Sequence, residues 1–130
     1  VRPGECRGVV AYIDKGSASQ AVLQRIRHAV REWRAVATSV GFGPSFLHST
    51  GQVFKGGPDS GVFLQITCDD ARDVAIPGRR YTFGVVKAAQ ALGDFRVLTH
   101  RRRRVLRVHV AGDVEAGLEG LERIVQTCLV

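Results

Sequence analysis

Short β-branched runs and longer runs with apolar residues every three or four positions take turns along this chain. Residues 7–14 (RGVVAYID) form a brief apolar run that ends at a turn, the pattern of a buried strand. Ser17-Ala18-Ser19-Gln20 has the S-x-x-Q spacing of a capping box and predicts a helix start. The following segment puts Val22, Ile26, Ala29, Val30 and Trp33 on one stripe and Gln24, Arg25, His28, Arg31 and Glu32 opposite. Residues 35–40 (AVATSV) predict a second strand, closed by Gly41-Phe42-Gly43-Pro44. The stretch FLHSTGQVFKGG, 46–57, reads as a short helix, with Pro44 near its first turn and Gly56-Gly57 ending it. Residues 61–68 (GVFLQITC) are the strongest strand pattern, and 69–78 are loop-like. Thr82 suits a cap for a helix to Leu92, stopped by Gly93 and Asp94, with Val85, Ala88, Ala89 and Leu92 as its apolar stripe. Residues 104–110 (RVLRVHV) predict a strand. Asp113 then caps a closing helix with Val114, Leu118, Leu121, Val125 and Cys128 on one face.

Strands that alternate with helices imply an α/β fold: a three-layer αβα sandwich around a mostly parallel sheet. No internal repeat, low-complexity linker or second domain interrupts residues 1–130, so a single domain is expected. In such sheets ligands bind beyond the carboxyl ends of the strands. The loop after the second strand leads straight into FLHSTGQ, which places His48 at the rim of that crevice.

Composition changes this picture little. The chain has 130 residues, enough for a real core, and at 45% hydrophobic and 24% charged it is not a disordered sequence. No apolar run approaches the roughly 20 residues of a membrane helix, and no signal-peptide pattern is present, so a cytoplasmic protein without membrane contact is expected. The chain opens at Val1 rather than Met, which reads as a piece cut from something longer. Cys6, Cys68 and Cys128 have no CxxC or ligand-pair spacing and read as reduced thiols. The net charge of +7 comes from 16 Arg against three Lys, a codon-bias signature that weakens any functional reading of the arginines. A basic surface still attracts anions, phosphorylated metabolites and nucleic acid included.

Several residues bear chemistry. An imidazole moves protons near neutral pH, so His48 is a candidate, with Ser49, Thr50 and Gln52 able to hydrogen-bond a polyhydroxylated ligand. By spacing alone, His48 reads rather as a helix-end histidine satisfied by a backbone carbonyl. Lys87 lies with Phe83 and Gln90 opposite the expected apolar stripe and reads as a solvated charge. His28, on a polar helix face, and His109, inside a strand, read as structural. Asp69, Asp70 and Asp73 (DDARD) read as a soluble turn rather than a metal site. Arg101-Arg102-Arg103-Arg104 lacks aromatic interleaving and reads as a solvated connector. No Gly-rich phosphate loop occurs.

One set of joined stretches carries a more specific signal. LHSTGQVFKGG, with Gln52 four residues and Gly57 nine residues after His48, resembles a segment of glucose-6-phosphate isomerases. GGPDSGVFLQIT, IPGRRYTFGVVKAAQALGD and RRVLRVHV are similar to the isomerase part of bacterial bifunctional transaldolase/glucose-6-phosphate isomerases. The resemblance runs through nearly the whole chain and is densest over 41–110. It implies a sugar-isomerase (SIS) domain of flavodoxin-like type. The implied activity is cofactor-free interconversion of glucose 6-phosphate and fructose 6-phosphate, in glycolysis and gluconeogenesis. His48 would pass a proton during ring opening, typically to the site of a neighbouring subunit in a homodimer. Lys87 would assist ring opening and hold the substrate. Ser49, Gln52 and Arg80 would contact it, with no metal involved. Opening a hemiacetal needs acid–base groups that work near neutrality, which an imidazole and a nearby ammonium supply.

The departures are as informative. The family's catalytic glutamate, in a Glu-Ser-x-Gly-Lys-like segment, has no counterpart, since only Glu5 and Glu32 precede His48. The Ser/Thr-rich phosphate cradle of the first SIS domain is also missing. Arg80 stands where many isomerases place a glutamine, seven residues before the lysine. The resemblance therefore implies a C-terminal SIS domain that is inactive alone and partnered by a first SIS domain, with or without a transaldolase domain. A non-catalytic sugar-phosphate-binding module of the same fold is the alternative. A nucleic-acid-binding domain, suggested by charge alone, would show steeply salt-dependent binding and is not expected.

Overall fold

The computed structural model describes residues 4–130; residues 1–3 of the expected 1–130 domain lie outside the described residues. Four strands, β1 (Cys6–Tyr12), β2 (Ala37–Phe42), β3 (Gly61–Cys68) and β4 (Arg104–Val110), form one sheet in the order β2-β1-β3-β4. Every pairing is parallel. The helices are α1 (Ser17–Arg34), α2 (Thr50–Gly56), α3 (Phe83–His100) and α4 (Val114–Cys128), with a 3-10 turn at Ser45–His48 before α2.

Alternation along the strands divides the core into two layers. Val9 and Ala11 of β1, Ile66 of β3 and Val110 of β4 pack on Val22, Leu23 and Ile26 of α1 and Leu118 of α4. Val10 and Tyr12 point the other way, onto Phe46 of the 3-10 turn and Ala91 of α3. From β1 the chain crosses to one side of the sheet and from β2 to the other, so right-handed connections put α1 on one face and α2 and α3 on the opposite one. The result is a flavodoxin-like αβα sandwich. Glu122 of α4 clamps α1 with two 2.8 Å hydrogen bonds from the Arg25 guanidinium.

Several boundaries differ from the sequence expectation. Gly16, without a side-chain cap, is the N-cap of α1, and Ser17 is already helical, so the expected capping box does not form. Gln20 N–H bonds the Gly16 carbonyl, starting the helix one residue early. Trp33 is 43% exposed and stacks its ring under the Arg34 guanidinium at 3.4 Å instead of joining the core. β2 starts two residues late and runs through Gly41 and Phe42, because pairing with β1 continues to Ala11↔Phe42. The expected single helix over 46–57 is broken at Ser49 into the 3-10 turn and α2.

The largest difference is α3, which runs through Gly93 and Asp94 to His100. A helical glycine costs only about 1 kcal/mol relative to alanine. That is offset here by burial of Leu98 and by the Asp94 carboxylate, which meets Lys55 Nζ at 2.7 Å in a nearly dry contact. The buried side of α3 is Ala91, Asp94 and Leu98, whereas Val85 and Leu92 of the expected stripe are exposed.

Candidate functional site at the carboxyl edge of the sheet

The chain leaves β1 in opposite directions on its two sides, so the switch point lies between the carboxyl ends of β1 and β3. Two recesses adjoin there. A crevice of about 320 Å³ lies between the α1 and α4 N-termini and is bounded by Asp14, Asp69, Asp70, Asp113 and Glu115. Beside it, under α3, a cavity of about 60 Å³ is lined by Tyr12, Thr67, Asp70, Lys87, Arg107 and His109, with Cys68 in both walls.

Lys87 does not project into solvent, as its position opposite the expected stripe implied. Because the true inner face of α3 is rotated from that stripe, its ammonium reaches the sheet edge and pairs with Asp70. Burial works against the charge, but the Asp70 carboxylate, with Cys68 and Asp14, more than offsets it and raises the pKa above that of a free lysine. Lys87 therefore stays a cation at cellular pH. Burial pushes the Cys68 thiol up, away from thiolate chemistry.

The DDARD loop is more than a soluble turn. Asp73 accepts from Thr82 Oγ1 at 2.5 Å, Gly84 N–H at 2.9 Å and Val74 N–H at 2.8 Å, tying the loop to the first turn of α3. Thr82 caps that helix as expected, accepting from Val85 N–H at 3.2 Å. The bond from Thr82, then that from Gly84, hold the Asp73 carboxyl below the usual range.

His109 and Asp69, read from sequence as structural and as part of a soluble turn, are joined here. The parallel register pairs Thr67 with His109, and Thr67 Oγ1 lies 3.0 Å from His109 Nδ1. On the far side of the ring, Nε2 lies 3.0 Å from Asp69 Oδ1. The outcome is a hydroxyl–imidazole–carboxylate chain with Thr67 buried at its inner end. Strand alternation is the signal that aims His109 toward the α3 side. The pairing itself is invisible until β3 and β4 are in register. Among the described residues no group of three or more His, Cys, Asp and Glu side chains is placed to hold a metal ion.

His48 ends the 3-10 turn beyond β2, exposed, with no hydrogen-bond partner for its ring among the described residues. Its seat is firm. Phe46 is buried edge-on to Tyr12, ring centroids 5.5 Å apart. A Cβ at Gly43 would stand 2.5 Å from the Tyr12 ring, so only glycine lets the chain turn from β2 into this segment. Ser49 and Gln52, expected to face a ligand, instead donate to the backbone carbonyls of Phe46 (3.3 Å) and Leu47 (2.7 Å). Arg80 is exposed in the loop before α3. None of His48, Ser49, Gln52 and Arg80 lines the Lys87 cavity.

The arginine run is not merely a solvated connector. The Arg103 side chain is only 10% exposed; it donates to the carbonyls of Lys55 (3.1 Å), in the last turn of α2, and Gly57 (2.6 Å), just beyond it, and meets Asp59 at 3.1 Å. Arg104 reaches Glu5 at 2.5 Å. Toward the amino-terminal half of the sheet, an almost wholly apolar groove of about 360 Å³ opens between α1 and α4, lined by Ile26, Val30, Leu106, Leu121, Ile124 and Val125. Among the described residues no helix is long and apolar enough to cross a membrane.

No family model and no curated protein matches this sequence. The fold is similar to the crystal structure of a hypothetical protein from Thermus thermophilus, with a TM-score of 0.78 and 17% identity over 97% of this chain and 35% of that one. This chain thus spans about a third of the length of the structure it matches, and at that identity the likeness bears on the fold alone.

Proposed function

We propose that this chain is the C-terminal SIS-type domain of a cytoplasmic glucose-6-phosphate isomerase, inactive alone and completed by a first SIS domain. The observation that carries this reading is His48, the histidine of the isomerase-like segment. Its imidazole is exposed and unpartnered among the described residues, on a turn fixed by Phe46. A ring-opening group needs a ring nitrogen free to exchange a proton with the sugar oxygens. Lys87 supplies the ammonium on the same helical layer, and its raised pKa keeps it charged for holding the sugar and supporting proton transfer.

The rest of the site lies outside the cavity of this domain. At about 60 Å³ it is far below the roughly 300 Å³ at which ligand pockets begin, and no glutamate lines it. The adjoining crevice does carry Glu115, but without the Glu-Ser-x-Gly-Lys-like context of the isomerase base, so the reading assigns the proton shuttle between the two sugar carbons to the first domain. The same small, glutamate-free cavity supports a second reading, a non-catalytic module that binds a sugar phosphate. Coupled isomerisation of fructose 6-phosphate by the full-length protein carrying this domain, native against His48→Ala, tests the proposal. A large loss of turnover with the fold intact by circular dichroism supports it, and unchanged turnover returns His48 to a structural role.

A further inference from the structure

Arg107 stands out as a guanidinium at the carboxyl edge with no ion pair among the described residues. It lies on β4 opposite Gln65 in register, half-buried, on the sheet face that α3 covers. Two of the carboxylates at this edge are occupied, Asp70 by Lys87 and Asp69 by His109. Arg107 has no carboxylate and no hydrogen-bond acceptor among the described residues. Its one neighbour of note is the Phe95 ring, 5.9 Å from the guanidinium carbon. Its side chain nevertheless lines the same cavity as Thr67, Lys87 and His109.

A half-buried guanidinium with no counter-charge beside it is open to an oxyanion. Guanidinium geometry suits two oxygens of a phosphate or carboxylate at once. Thr67 adds a hydroxyl whose role follows the ring beside it. When His109 Nδ1 donates, the Thr67 proton is free to turn into the cavity; when Nδ1 accepts, that proton is engaged. The cavity volume of about 60 Å³ admits an end group, not a whole sugar.

We propose that Arg107, with Thr67 and beside the Lys87–Asp70 pair, forms an oxyanion subsite that takes the phosphate group of a sugar phosphate. This builds on the isomerase reading by naming the group bound at the carboxyl edge of β3 and β4. It gives the domain a phosphate contact of its own, although the Ser/Thr-rich cradle is absent from its sequence.

The test is a titration of this chain with inorganic phosphate, fructose 6-phosphate and fructose, followed by amide chemical shifts in the native protein, Arg107→Gln, Arg107→Lys and Arg101→Gln. Both phosphates should shift Thr67, Cys68 and Arg107, and Arg107→Gln should bind about 10-fold more weakly, the size of one lost charge-assisted contact. Arg107→Lys should fall between, Arg101→Gln should match native, and fructose should give no shift. Native-like binding by Arg107→Gln, or shifts confined to Arg101–Arg104, overturns the subsite. Equal binding of the two phosphates supports the subsite while showing that the sugar adds nothing. The isomerase reading is judged separately, by turnover of His48→Ala.

Discussion

Thr67 and His109, 42 residues apart in sequence, are register partners across β3 and β4, with Thr67 Oγ1 3.0 Å from His109 Nδ1. The hydroxyl is buried and the opposite ring nitrogen is held by the exposed carboxylate of Asp69. This chain connects the sheet interior to the mouth of the candidate site, beside Lys87.

Removing the central ring should cost more than removing the outer carboxylate. His109→Ala leaves the Thr67 hydroxyl buried without its partner, a loss of about 1–2 kcal/mol. Asp69→Ala removes only an exposed contact and should cost about 0.5 kcal/mol or less. Urea denaturation of the two variants measures the difference. Equal losses would mean that the buried hydroxyl finds another acceptor.

The Lys55–Asp94 pair holds α2, and with it the His48 segment, against α3. Asp94 is 3% exposed and Lys55 18% at the side chain, so breaking the pair strands a charge. Burial, then the Asp94 carboxylate, also push the neighbouring Tyr12 phenol well above its ordinary pKa. Lys55→Ala should therefore destabilise by about 3 kcal/mol, whereas the apolar double variant Lys55→Met/Asp94→Leu should lie closer to native. A double-mutant cycle in guanidinium chloride reads the coupling.

Acid should loosen the DDARD loop before the sheet. The folded-state pKa of Asp73 is depressed, so its contribution is fully present above the unfolded value and is lost as pH falls through the folded one. Glu122, held down first by its hydrogen bond from Arg25, follows the same sign. Stability should thus decline below about pH 4, and Asp73→Asn should flatten part of that limb. Melting temperature against pH for the two proteins checks this. Parallel curves would refute the assignment.

Ala35 ends α1 in the left-handed region, φ 50° and ψ 42°, where a Cβ is strained. Glycine is the usual residue at such a position. Ala35→Gly should therefore raise stability by about 0.5–1 kcal/mol despite the added freedom of the unfolded chain. A lower denaturation midpoint would refute it.

The periodicity of this sequence determined its architecture. β-branched runs of strand length separated by helical stripes admit few arrangements other than an αβα sandwich, and the caps at Thr82 and Asp113 were legible because their hydrogen bonds reach only three residues. His48 was locatable because a glycine-rich turn follows β2 immediately. Tertiary structure decided what depends on distant partners. The inner face of α3 could not be read from its own apolar residues, because Val85 and Leu92 are exposed while Asp94 is buried against Lys55, 39 positions earlier. That rotation turned Lys87 inward. Likewise, Thr67 and His109 met, and Arg107 came to line their cavity, only when β3 and β4 fell into register. Local periodicity selects elements because backbone hydrogen bonding and side-chain spacing repeat over short range, whereas burial of a polar group is determined by the partner that compensates it, wherever in the chain that partner lies.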